Sequence, residues 1–239
     1  MDIKITASIV AYQNDTEILK KAIESFLSSE LDATLYLIDN SPTDKLKNIV
    51  THTRIKYIHN PSNPGFGAAH NIGIKNAAQE GAKYHFIINP DVYFEKHVVG
   101  KMVEYMANDK SIGMMMPQIL NIDGTVQNLP KLLPTPFSIL WRKIKIPPRA
   151  YQKFINIYEL RDVNQELIYN APVLSGCFTL LNLHAIDEVG SYDDNFFMYF
   201  EDWDLSRRIH EKYKTIYFPL VSVVHEYESG ANKSKKLFK

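Results

Sequence analysis

From Ile3 to Met106 short apolar, β-branched runs alternate with stretches of helical periodicity, a pattern that few architectures satisfy. Residues 3–10 read as a strand. Asn14-Asp15 then offers an N-cap to a helix whose Ile18, Leu19, Ala22, Ile23, Phe26 and Leu27 share one face. The alternation continues with a strand at 34–38, a short helix at 45–50 and a strand at 55–58. A helix at 68–80 stopped by Gly81, an apolar strand at 84–88 and a helix at 98–106 follow. Strands that alternate with helices predict an α/β fold with a mostly parallel sheet covered on both faces. At 239 residues and 45% hydrophobic, the chain suits one large domain.

Charge and cysteine content narrow the function. Twenty-seven basic residues balance 27 acidic ones, so no broad cationic footprint exists for wrapping nucleic acid. The lone Cys177 can close no internal disulfide and complete no cysteine zinc site. No leader-like pattern opens the sequence, and a reducing cytoplasm is the expected location. The apolar runs fall well short of the roughly 20 residues that span a bilayer.

The second half is less regular. Residues 112–116 read as a strand and Asp123-Gly124 as a tight hairpin turn. Between Leu129 and Asn170, Pro130, Pro134, Pro136, Pro147 and Pro148 break short apolar-basic pieces, an inserted segment with one or two helices. Regularity returns with a strand at 178–183, a turn at Gly190, a helix at 202–213 and strands at 215–218 and 221–224.

In an open parallel sheet, ligands gather at the carboxyl ends of the strands. Tyr12, Asp39-Asn40, Asn63 to Gly67 and Asn89-Pro90-Asp91 close the first four strands on one rim. Each has an ordinary explanation as a turn or cap residue; four on one edge are harder to dismiss. Gly65 and Gly67 do not complete a dinucleotide-binding glycine pattern, so a tight strand-to-helix turn is the expected role, with Asn71 and Gly73 on the helix face toward the rim. Asp91 can hold Mg²⁺ or Mn²⁺ if a diphosphate completes the shell. Further on, Glu201, Asp202 and Asp204 follow the aromatic run Phe196-Phe197-Met198-Tyr199-Phe200 at a helix start. Acidic residues favour that place on dipole grounds, yet aromatic walls also raise a carboxylate toward use as a base. His225 follows the last apolar strand, where it reads as a core or surface histidine or as a ligand.

The series Ser8-Ile9-Val10-Ala11-Tyr12, Ile38-Asp39-Asn40-Ser41, Asn63-Pro64-Gly65-Phe66-Gly67 with Asn71-Ile72-Gly73, Asn89-Pro90-Asp91-Val92 and Phe197-Met198-Tyr199-Phe200-Glu201-Asp202-Trp203-Asp204-Leu205 resembles family 2 glycosyltransferases, most closely the bacterial rhamnosyltransferase branch. The resemblance implies a GT-A fold, a Rossmann-like mostly parallel sheet with a small C-terminal acceptor-side elaboration. It divides one domain, 1–239, into a nucleotide-sugar half, 1–116, and an acceptor half, 117–239, with the insertion at 129–170. It implies an inverting, metal-dependent transferase with Mg²⁺ or Mn²⁺ as cofactor and a dTDP- or UDP-sugar as donor. The acceptor would be a glycan or lipid-linked oligosaccharide in surface polysaccharide synthesis, and the sugar a hexose or deoxyhexose such as rhamnose. Carried over by position, Tyr12 would pack beside the base, Asp39 would hydrogen-bond it, and Asn40, Asn63, Gly65, Asn71 and Asn89 would complete the donor site. Asp91 would bind the metal with His225 as a further ligand. Asp202 would be the base, with Glu201 its neighbour. Asn89 stands where many members carry a first aspartate, which removes one carboxylate from the metal's shell. Arg208 is a weaker candidate for phosphate binding or structural pairing.

Two other readings remain. A sugar nucleotidyltransferase shares the sheet type but calls for a glycine-rich turn near Tyr12, which is missing. A non-catalytic nucleotide-sugar or glycan-binding module would suit the substitution at Asn89. The tail at 231–239, with Lys233, Lys235, Lys236 and Lys239 beside Leu237 and Phe238, is either a frayed terminus or a basic segment in peripheral contact with the inner face of the plasma membrane.

Overall fold

The computed structural model describes residues 3–144 and 146–226, so the 231–239 tail lies outside the described residues. β1 (Ile5–Ala11), β2 (Ala33–Asp39), β3 (Ile55–His59) and β4 (Tyr84–Ile88) pair in parallel in the order β3-β2-β1-β4. Between them run α1 (Thr16–Leu27), a 3₁₀ turn (Lys45–Ile49) and α2 (Phe66–Gln79). Asp15 caps α1 through Oδ1, which accepts the N–H groups of Glu17 and Ile18, as its position before the apolar stripe predicts. Gly81 stands at φ +72° beyond the end of α2.

Beyond β4 come β5 (Val92–Phe94), α3 (His97–Asn108) and β6 (Ile112–Leu120), then α4 (Pro136–Ile144), α5 (Pro148–Tyr158) and β7 (Tyr169–Asn170). The chain closes with β8 (Phe178–Asn182), α6 (Leu183–Val189), α7 (Glu201–His210) and β9 (Lys214–His225). One sheet runs β3-β2-β1-β4-β8-β6-β9-β5, with β7 on β9. The mostly parallel sheet that the sequence predicts is present, and it also carries antiparallel strands that the alternation did not reveal. β8 runs antiparallel to both β4 and β6, and β9 pairs antiparallel with β5 and β7 although parallel with β6. An antiparallel strand needs no crossover helix, so strand-helix alternation could not reveal it. β5, β7 and α6 are too short for periodicity to expose, and the two strands expected near the end are one, β9, with a register shift against β6 between Pro117 and Gln118.

The reversed β8 is what builds the rim. Because β6 and β9 run in the same sense as β4, the carboxyl ends of β1, β2, β3, β4, β6 and β9 and the amino end of β8 share one edge. The strand order reverses between β1 and β4, where a crevice opens in such sheets. Among the described residues no helix is long and apolar enough to cross a membrane.

Beneath the rim lies a buried polar chain. Thr6 Oγ1 meets His85 Nδ1 at 2.7 Å, Ser8 Oγ meets His85 Nε2 at 2.8 Å, and the same hydroxyl meets His70 Nδ1 at 2.7 Å. Gly73 faces this chain rather than the rim. A Cβ there would stand 2.6 Å from Ser8 Cβ, so glycine lets α2 sit on β1. Burial holds His85 down to about 3 and His70 well below the ordinary imidazole range, so both rings stay neutral. The unfolded chain takes up those protons as pH falls below about 6.5, and the native state does not, so stability drops with acidity. His85→Gln is expected to flatten thermal or urea-derived stability against pH by about 1.4 kcal/mol per pH unit between about pH 6 and 4.

Candidate active site

Tyr12 follows β1 with its side chain 46% exposed, open to stack on a planar group. Asp39 at the end of β2 is fully buried. Its Oδ1 accepts the Ser41 N–H at 2.9 Å and its Oδ2 the Tyr57 hydroxyl at 2.6 Å, so only second lone pairs remain for a ligand. Asn40 donates to Asn63 Oδ1 at 3.2 Å and accepts from Asn60 Nδ2 at 2.9 Å, an amide relay that joins the ends of β2 and β3.

Gly65 has φ +106°, and a Cβ there would lie 2.2 Å from the carbonyl oxygen of Phe197. The Phe66 N–H donates to that oxygen at 3.0 Å. The structure therefore uses Gly65 to bring the aromatic loop against the start of α2. Asn71 serves the same loop: it donates to Tyr192 O and Asp194 Oδ1, each at 2.8 Å, and accepts the Tyr192 N–H at 3.0 Å. Arg208 settles into structural pairing, donating to Asp204 at 2.7 Å and to the carbonyls of Val189, Gly190 and Ser191.

Asp91 lies after β4, its Oδ1 3.3 Å from Nε2 of the nearly buried His225 at the end of β9. Burial lowers the affinity of the imidazole for its proton, but the facing Asp91 carboxylate and the Cys177 thiol outweigh it and push the ring up to about 10. Gln127 brackets the ring, its Oε1 3.3 Å from His225 Nδ1 and its Nε2 3.3 Å from the His225 carbonyl. Such an outer partner fixes an imidazole so that Nε2 faces a metal. The buried Asp91 Oδ1 faces this nitrogen, so the pair offers a divalent cation two protein ligands once the ring gives up its proton. Among the described residues no group of three or more His, Cys, Asp or Glu side chains could hold a metal, so a ligand diphosphate or water would have to supply the rest. Asn89, half-buried, is tied through its backbone: its N–H donates to Cys177 O at 2.8 Å.

At the start of α7 the two acidic neighbours part. Glu201 turns inward, 5% exposed, against the face of Gly67, where a Cβ would stand 3.4 Å from its own; its Oε2 is buried without a hydrogen-bond partner. Asp202 is half-buried on the rim. Its Oδ2 accepts the Gly176 N–H at 3.3 Å and its Oδ1 the Trp203 N–H at 2.9 Å. Burial raises both carboxyls above their ordinary range, opposed at Asp202 by those N–H groups and by Lys131. Gly176 precedes Cys177, whose carbonyl holds Asn89 and whose thiol meets His225, so a single turn joins the surroundings of Asp202 and Asp91.

Comparisons with known proteins bear on the family and the fold. Residues 7–190 match the family model for glycosyl transferase family 2. The chain belongs to that family. It is 24% identical over 201 residues to the low-salt glycan biosynthesis hexosyltransferase Agl10 of Haloferax volcanii, an alignment that covers 84% of this chain and 59% of the relative. It is 23% identical over 212 residues to an N-acetylglucosaminyl-diphospho-decaprenol L-rhamnosyltransferase of Mycobacterium tuberculosis, over 83% of this chain and 68% of that protein. The family 2 chain thus spans about six-tenths of the first relative. These relatives support the rhamnosyltransferase-like branch. Among solved structures, GalNAc-T7 with UDP, GalNAc and Mn²⁺ superposes with a TM-score of 0.69 at 16% identity, over 94% of this chain and 44% of that one. The mannosyltransferase PcManGT of Pyrobaculum calidifontis, in complex with GDP-Man and Mn²⁺, gives 0.66 at 14%, over 95% and 58%. The fold is GT-A.

Sequence reasoning missed Gln127, Lys131, Gly176 and Tyr192. Lys131 Nζ lies 6.0 Å from the Trp203 ring and favours the charged form of Asp202. None of the four sits in a strand-end motif; only pairing of distant segments brings them in. The contact at Gly65 is directly testable. Gly65→Ala is expected to lower the unfolding free energy by about 2–5 kcal/mol through strain and overlap. Gly81→Ala, with φ +72° and open space around its Cβ, should cost only about 1 kcal/mol. Parallel urea denaturation of the two variants checks the difference.

Proposed function

We propose that this glycosyltransferase moves a sugar from a nucleoside diphosphate donor, with inversion at the anomeric carbon, to a hydroxyl of a glycan or lipid-linked acceptor. The observation that carries the reading is the turn at Gly176-Cys177, which ties Asp202 to the surroundings of Asp91 and His225. The names of the relatives, a hexosyltransferase and a rhamnosyltransferase of a polyprenyl diphosphate sugar, support a hexose or deoxyhexose such as rhamnose and a lipid-linked acceptor in polysaccharide assembly. The UDP and GDP-Man in the structural neighbours support a nucleoside diphosphate donor, and we assign it as dTDP- or UDP-linked on the resemblance to the rhamnosyltransferase branch.

Each residue has a chemical task. Tyr12 offers its exposed ring to the base, and Asp39 and Asn40 hold the strand ends that frame it. Asn63, Gly65 and Asn71 shape the wall between the donor and the aromatic loop. Asp202 takes the acceptor proton as the acceptor oxygen bonds to the anomeric carbon and the bond to the diphosphate oxygen breaks on the opposite face. Its raised pKa makes it a stronger base than an ordinary aspartate while leaving it ionisable. Glu201, facing inward, supports α7 and leaves Asp202 alone at the cleft. Mg²⁺ or Mn²⁺ held by Asp91 and His225 would supply positive charge to the leaving diphosphate. Residues 1–116 form the donor half and 117–239 the acceptor half of this reading. A cytoplasmic setting suits a nucleotide-sugar enzyme.

Calorimetric titration with UDP- and dTDP-sugars plus Mn²⁺ should show binding and slow donor hydrolysis; silence from folded protein would overturn the reading. Asp202→Asn is expected to lose about 10²- to 10⁴-fold in turnover while nucleotide affinity holds. A carboxyl whose folded pKa is raised costs stability as pH rises past its unfolded value, in full above the folded one, so the same variant should melt higher at neutral pH. Turnover should fall along an acid limb above the ordinary aspartate pKa, and the limb should vanish with Asn.

A further inference from the structure

In the helical hairpin α4–α5, the first helix is built inside out. A surface helix ordinarily turns its apolar stripe to the core. In α4 Phe137, Leu140 and Ile144, at helical spacing, face outward, with Phe137 63% and Leu140 55% exposed, and Trp141 is half-buried beside them. The buried side chain is Ser138, locked to Thr135 by reciprocal side chain–backbone hydrogen bonds. With Ile146, 64% exposed, the stripe lines a shallow apolar groove of about 300 Å³. The hairpin is nevertheless firmly held. Trp141 stacks on Phe154 at 4.9 Å, Phe154 stacks on Tyr158, and the Leu132 N–H donates to the Tyr158 carbonyl at 2.9 Å.

Charge says what fits this face. Between Gly124 and Tyr158 the sequence has six basic residues, Lys131, Arg142, Lys143, Lys145, Arg149 and Lys153, and no acidic one, in a chain of zero net charge. A second copy docked about a two-fold axis would set this cationic segment against itself, and like charges repel. Exposed Phe, Leu and Ile beside Lys and Arg instead match an anionic bilayer surface, where the apolar stripe enters the headgroup boundary and the basic residues meet lipid phosphates.

We propose that the α4–α5 hairpin docks the protein on anionic phospholipid, independently of the basic tail. Lys131, at the root of the hairpin, stands beside Trp203 and Asp202, so a docked enzyme would hold its acceptor side toward the lipid. That last orientation rests on the transferase reading; docking itself does not, and the test reads partitioning rather than turnover.

The full chain is sedimented with vesicles of phosphatidylcholine alone and of phosphatidylcholine with phosphatidylglycerol at equal parts. Binding is expected to be at least about tenfold stronger to the mixed vesicles. Phe137→Ser, Leu140→Ser and Ile146→Ser together should lower it about tenfold, as should Arg149→Glu with Lys153→Glu, whose side chains are exposed and do not bear on folding. Removal of residues 231–239 should leave most of it. No binding by the full chain, unchanged binding in both sets of variants, or loss on tail removal alone would overturn the proposal. So would self-association abolished by the serine variants without any vesicle binding.

Discussion

Two adjacent backbone groups govern the cleft. The Gly176 N–H reaches Asp202 and the Cys177 carbonyl takes the Asn89 N–H, just where β8 starts beside the end of β4. Had β8 run parallel to β4, this turn would lie at the far edge of the sheet, and the Gly176 N–H could not hold Asp202 against the rim. The antiparallel pairing is therefore the constraint from which the shared site follows. Gly176 also has little room for substitution, since a Cβ there would stand 3.3 Å from the Phe66 ring and 3.4 Å from Asp202 Cβ.

Burial does opposite things on the two sides of that turn. At Asp202 it favours the protonated carboxyl, and two N–H groups hold the group within reach of ionisation. At His225 the Asp91 carboxylate overrides burial and keeps the ring protonated. A cation seated between Asp91 and His225 would have to displace that proton, so binding of the cation and loss of the proton are linked. Beneath both, Ser8 binds two neutral histidines, a polar chain sealed under α2 that stiffens the β1–β4 crevice from below.

Much of the first half was legible because its signals are local. Asp15 caps α1, Gly81 ends α2, and the apolar runs become the parallel strands where periodicity places them. The strand-end residues Tyr12, Asp39, Asn89 and Asp91 also fall on one rim, since strand ends in such a sheet have nowhere else to go. The second half was harder because its information is non-local. The sense of β8 depends on its partners, not on its own composition. The resemblance implied donor contacts for Asn71 and Gly65; that both also anchor a loop more than 120 residues away carries no local signal. Lys131 and Gln127 carry no motif at all and matter only through what folds against them. Between Leu129 and Asn170 only short apolar-basic pieces were legible, and such pieces do not say which way a helix turns its apolar side.

The aromatic loop is fastened to α2 at Asn71 and again at Phe66, which pins Tyr192, Asp194 and Phe197 to a helix of the central fold. Between those anchors and α7 lie Met198, Tyr199 and Phe200, the last two in left-handed conformations and all substantially exposed, with the Phe200 carbonyl taking the Asp204 N–H and its ring edge-on to Trp203. Side chains on this lip can thus change within three codons while the anchors at Asn71 and Phe66 stay as they were. Diversification of what the enzyme grips would then be uncoupled from the solidity of the enzyme itself.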